Sequence, residues 1–73
     1  MNPDFKVRGQ RKVIELFGDY WHRNDNPKDK INLFRKVGYD CLIIWESELK
    51  DVSVVLSKII DFVSFKYNLG VAN

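Results

Sequence analysis

Four side chains near the start of the chain have the chemistry to act together: Asp4, Glu15, Asp19 and His22. Asp4 and Glu15 fall on two predicted strands joined by a tight turn, and the other two follow at once in Gly18-Asp19-Tyr20-Trp21-His22. Hard divalent cations such as Mg²⁺ or Mn²⁺ take oxygen ligands, commonly one or two carboxylates completed by water and phosphate. A hairpin that sets Asp4 beside Glu15 would build such a site. A histidine that titrates near neutrality and aromatics able to stack on a base suit hydrolysis of a phosphodiester. Each residue also has a plainer reading. Glu15 could be an interior partner of Arg11 or Lys12, Asp19 a turn residue after Gly18, His22 a loop hydrogen-bonder, and Trp21 core-edge packing.

These residues need a scaffold, and the pattern of the chain supplies one. Asp4 to Arg8 alternates polar residues with Phe5 and Val7, the period of a half-buried strand. Gly9-Gln10 reads as a hairpin turn. Arg11 to Phe17 is apolar on both faces except at Glu15, which predicts a central strand with one carboxylate set into it. A buried carboxylate costs several kcal/mol unless paired or metal-bound, so Glu15 calls for a partner. Gly18 to Asn26 is a polar loop. Asn26-Pro27 is a helix start, Ile31, Phe34 and Val37 recur at spacing three, and Gly38 closes the helix. Asp40 to Trp45 is a strand of the kind covered on both faces. A last helix is expected from about Asp51 to Asn68, with Val52, Val55, Leu56, Ile59, Phe62 and Val63 on one stripe and Gly70 beyond it. The order is β-β-α-β-α, an α/β fold whose mixed sheet is flanked by helices, with a right-handed crossover expected between the second and third strands.

A chain of 73 residues makes one domain, here 1–73, and buries only about 60% of its unfolded surface. Its 45% hydrophobic and 30% charged content is that of a globular protein. The net charge of +2 does not mark a nucleic-acid binder. Its distribution says more, with Lys6, Arg8, Arg11 and Lys12 crowding the hairpin and Lys28, Lys30, Arg35 and Lys36 the first helix. Cys41 stands alone in an apolar run and His22 is the one histidine, which excludes a disulfide framework and a cysteine–histidine zinc set. No stretch approaches the roughly 20 apolar residues of a membrane span, and the start lacks the features of a signal peptide. A reducing, cytoplasmic setting is expected.

In this order and spacing, Pro3-Asp4-Phe5, Val13-Ile14-Glu15, Gly18-Asp19-Tyr20-Trp21-His22, Gly38-Tyr39, Leu42-Ile43-Ile44-Trp45-Glu46 and Glu48-Leu49-Lys50 resemble the very short patch repair endonucleases and their phage- and intron-borne homing relatives. Both belong to the PD-(D/E)xK nuclease superfamily. The resemblance covers roughly residues 3–62. It implies a small restriction-endonuclease-like core and a Mg²⁺- or Mn²⁺-dependent endonuclease acting on double-stranded DNA, encoded by a host or a mobile element and working in the cytoplasm. Asp4 and Glu15 match the metal-binding positions. Glu15 is apolar in the repair enzymes, so the chain is more similar to the homing relatives. His22 matches a histidine used near the scissile phosphate, and Asp19 joins the catalytic set beside it. Tyr20 and Trp21 match the aromatic pair that wedges between base pairs, while Arg8, Arg11 and Lys12 are placed to meet phosphates.

Two departures qualify the match. The superfamily's lysine, two residues past the acidic position, is Phe17 here, leaving Lys6, Lys12 or His22 as substitutes. The family's preceding helix, with its additional acidic residue, is missing before Asp4. The expectation is therefore a piece of a larger or split enzyme, which forms a homodimer or binds an N-terminal fragment over the Phe5–Val7 face. The alternative is a catalytically inactive DNA-binding or assembly module that keeps the nuclease fold.

Overall fold

The computed structural model describes residues 2–18 and 26–64. It is a small α/β fold with a three-stranded mixed sheet in the order β1-β2-β3, flanked by two helices. Strand β1 (Phe5–Lys6) is antiparallel to β2 (Lys12–Phe17), and β3 (Asp40–Trp45) is parallel to β2. Gly9 adopts φ +76° within a turn whose Gln10 N–H donates to Val7 O at 3.2 Å, a backbone conformation that glycine enters without a Cβ penalty.

Helix α1 (Pro27–Lys36) connects β2 to β3, as a parallel pair requires. Its start is set by Asn26 Oδ1, which accepts from the Lys28 N–H at 2.8 Å, and by Pro27 in the first turn. Its end is a Schellman motif, in which Tyr39 N–H donates to Phe34 O at 3.0 Å and Gly38 N–H to Arg35 O at 2.9 Å. Gly38 has φ +86°. A 3-10 helix (Glu46–Lys50) follows β3 and leads into α2 (Val52–Ser64).

Central strand β2 is covered on both sides. Val13, Glu15 and Phe17 share one face with their β3 partners Cys41, Ile43 and Trp45, and Phe34 of α1 is buried over it. Ile14 and Ile44 point the other way and pack with Val55 of α2, flanked by Leu42, Ile59 and Phe62. Phe17 meets Trp45 edge to face, with ring centroids 5.4 Å apart.

Two details depart from the expectations. The first strand is two residues long, not five. A 3-10 helix occupies Glu46–Lys50, a segment whose sequence pattern announces no element. The sheet face under α2 is incompletely covered at Phe5, as the sequence leads one to expect. Phe5, Ile14, Leu16, Ile44, Leu49, Val55 and Ile59 line an apolar groove of about 330 Å³, and Phe5 is 55% exposed. The end expected for the last helix, near Asn68, lies outside the described residues.

Candidate functional site

The hairpin brings Asp4 and Glu15 together, one step beyond the Phe5–Ile14 pair. Their contacts are reciprocal. Glu15 Oε2 accepts from the Asp4 backbone N–H at 2.9 Å, and Asp4 Oδ2 accepts from the Leu16 backbone N–H at 2.8 Å. Each carboxylate satisfies a backbone donor on the opposite segment, which explains why the regular strand pairing stops at Phe5. Charged acceptors make such bonds stronger than neutral ones.

The two differ in environment. Asp4 is exposed and Glu15 is 5% exposed beneath α1. The charge partner of Glu15 is Lys30 in α1, whose Nζ lies 3.6 Å from Glu15 Oε1. Sequence reasoning offered Arg11 and Lys12 for that role because they are neighbours along the strand. The parallel crossover brings Lys30 instead, and no local spacing signals that pairing.

Lys12 is 6% exposed and is turned away from the carboxylates. Its Nζ donates to Phe62 O at 2.6 Å and Val63 O at 3.3 Å, and stands 5.4 Å from the Phe62 ring centroid. Its ammonium thus binds main-chain carbonyls of α2, as a charged donor that makes stronger bonds than a neutral one. Arg8 is exposed in the turn and Arg11 is exposed at the start of β2. The Arg11 guanidinium and the Lys6 ammonium lie 5.9 and 5.4 Å from the Tyr39 ring centroid, within cation–π range. Asp19, Tyr20, Trp21 and His22 lie outside the described residues. Phe17, which the resemblance aligns with a nuclease lysine, is 4% exposed and packed against Trp45.

Cys41 lies beside Val13 in the sheet register, on the Glu15 face. Burial, and then the nearby Glu15 charge, push its thiol up to about 11, while Lys30 pulls the other way. It is a protonated, inert thiol at neutral pH.

The donor set fits a hard cation in part. Asp4 has one oxygen without a partner among the described residues, and each carboxylate oxygen carries two lone pairs. Two such groups with water and a phosphate meet the usual Mg²⁺ requirement. Among the described residues there is no group of three or more His, Cys, Asp or Glu side chains arranged to hold a metal. No helix among them is long and apolar enough to cross a membrane. No protein family, curated protein or solved structure matches this chain.

Proposed function

We propose that this chain is the restriction-endonuclease-like core of a Mg²⁺- or Mn²⁺-dependent DNA endonuclease, with Asp4 and Glu15 as the metal-binding pair. The observation that carries the reading is the hairpin's reciprocal Asp4–Glu15 arrangement, with one carboxylate exposed and one buried. A carboxylate inside a small core is costly unless partnered, and the hairpin anchors a second carboxylate, that of Asp4, on the segment next to it, a donor set that suits a cation.

In this reading Asp4 and Glu15 hold the ion while the Asp4 and Leu16 N–H groups fix the carboxylate orientations. The bound ion would polarise the phosphate and lower the pKa of an attacking water. Arg8 and Arg11 are exposed and able to meet phosphates on double-stranded DNA, Arg11 from its place over the Tyr39 ring, giving binding that weakens with salt. By the resemblance, His22 moves a proton at the water or the leaving oxygen, Asp19 assists it, and Tyr20 and Trp21 stack in the duplex. Lys12 keeps its structural position.

The alternative, an inactive DNA-binding or assembly module, is favoured by the buried Phe17 at the lysine position. In either case the apolar groove bounded by Phe5, Leu16 and Leu49 supports association with a second copy or a helical fragment, in the cytoplasm of a host cell. Plasmid nicking decides between enzyme and module. Cleavage with Mg²⁺ that EDTA abolishes and Glu15→Gln removes supports the endonuclease. Salt-sensitive DNA binding with no cleavage in Mg²⁺ or Mn²⁺ supports the module.

A further inference from the structure

Lys30 holds a position that the nuclease reading does not use. Its ammonium is 3.6 Å from Glu15 Oε1, beyond hydrogen-bond length. The two side chains differ sharply in exposure, 40% for Lys30 and 6% for Glu15. The carboxylate is held from its other side by the Asp4 N–H, whereas the ammonium sits on a flexible stem that reaches solvent. The pair is therefore a fixed anion with a loosely attached cation. This is the arrangement expected of a counter-charge that can leave.

We propose that Lys30 is the internal counter-cation of the Asp4–Glu15 site, which withdraws from Glu15 when a divalent ion binds and then holds a phosphate oxygen of the DNA backbone. The inference rests on the nuclease reading and assigns that site a charge-exchange device. Charge balance gives the reason. Asp4, Glu15 and Lys30 together carry a net charge of about −1, so the buried carboxylate is never left bare. A divalent ion at the same carboxylates balances them and repels the ammonium, leaving the charge of Lys30 without a partner at the site. Lys30 is a compact point charge with three donors, suited to a phosphate. It extends from the first turns of α1, whose N-terminal end also favours anions.

Calorimetric titration with MnCl₂ alone, on wild type and Lys30→Gln, tests this. Removing a competing charge at this distance should tighten Mn²⁺ binding by about tenfold at a partly exposed site. In the same variant, the salt dependence of duplex DNA binding in Mn²⁺ should lose about one phosphate contact. If wild type binds Mn²⁺ and Lys30→Gln binds it equally or more weakly, Lys30 is a structural partner and the proposal is overturned while the metal site stands. If neither protein binds Mn²⁺, the metal site itself is wrong, and this inference fails with it. Should Lys30→Gln not fold, wild-type NMR serves instead. The Lys30 side-chain methylene resonances should shift with the Glu15 carboxyl signal as diamagnetic Mg²⁺ is added. Lys30 resonances that stay fixed while Glu15 moves would overturn the exchange.

Discussion

Lys12→Met separates a structural lysine from a DNA-binding one. The substitution keeps most of the stem and removes the ammonium that donates to Phe62 O and Val63 O at 2.6 and 3.3 Å. A hydrogen bond from a charged donor contributes about 1.5–3 kcal/mol. Relief from burying an ammonium at 6% exposure offsets part of this, since desolvation of such an ion costs several kcal/mol. The net expectation is a loss of about 2 kcal/mol. For a domain of this size that lowers Tm by roughly 10 °C. Circular dichroism melts measure the loss, and filter binding across a salt series measures DNA affinity. The salt slope should be unchanged at temperatures where the variant is folded. A melting point within about 2 °C of wild type, together with a slope smaller by about one, would refute the reasoning and make Lys12 a phosphate contact.

Other expectations follow from single groups. Cys41, with its thiol pushed from 9.0 up to about 11, holds about 100-fold less thiolate than an ordinary thiol at pH 8. Native protein should therefore alkylate slowly with iodoacetamide and Glu15→Gln faster, while equal rates would separate Cys41 from the Glu15 charge. Because that pKa is raised, the thiol's contribution to stability is full below about pH 9 and falls as pH rises toward 11, visible as a basic limb missing in Cys41→Ala. The Glu48 carboxyl is held below its usual 4.5, first by the Lys58 ammonium 2.7 Å away and then by the Trp45 N–H. Its stabilising effect is present above that value and lost as pH falls through the lowered pKa, so Glu48→Gln should flatten the acid limb of a stability profile. Gly38→Ala forces a Cβ into φ +86° and within 3.1 Å of Arg11 Nη1, and should cost about 1–2 kcal/mol in urea denaturation.

Much of this fold is written in local signals. Asn26-Pro27 and Gly38 mark both ends of α1, and the apolar run of β3 declares a strand covered on two sides. The apolar stripe of the last helix is correct at Val55, Ile59 and Phe62, whereas Val52 and Leu56, expected on the same stripe, are 62% and 52% exposed. What escapes local reading is pairing at long range. Lys12 looks like surface charge at a strand's beginning, yet α2 returns 50 residues later to take its ammonium. Lys30 looks like one of several helix-surface cations until the crossover sets it over Glu15. The short β1 follows from the same cause. Asp4 and Glu15 satisfy backbone N–H groups that would otherwise extend the ladder before Phe5, and the turn closed by Gln10 N–H on Val7 O ends it after Lys6, so alternation alone overstates the strand. The aromatic and histidine part of the candidate site, Asp19 to His22, rests on the resemblance and on the residues themselves.

The central claim is that Asp4 and Glu15 together bind a divalent cation, and Mn²⁺ paramagnetic broadening in amide NMR spectra tests it most directly. At substoichiometric MnCl₂, the account predicts selective loss of the Asp4, Phe5, Glu15 and Leu16 resonances. That loss should disappear in Glu15→Gln with the remaining spectrum unchanged. Broadening scattered over the acidic surface around Glu46, Glu48 and Asp51, or broadening at Asp4 that persists in Glu15→Gln, would contradict it.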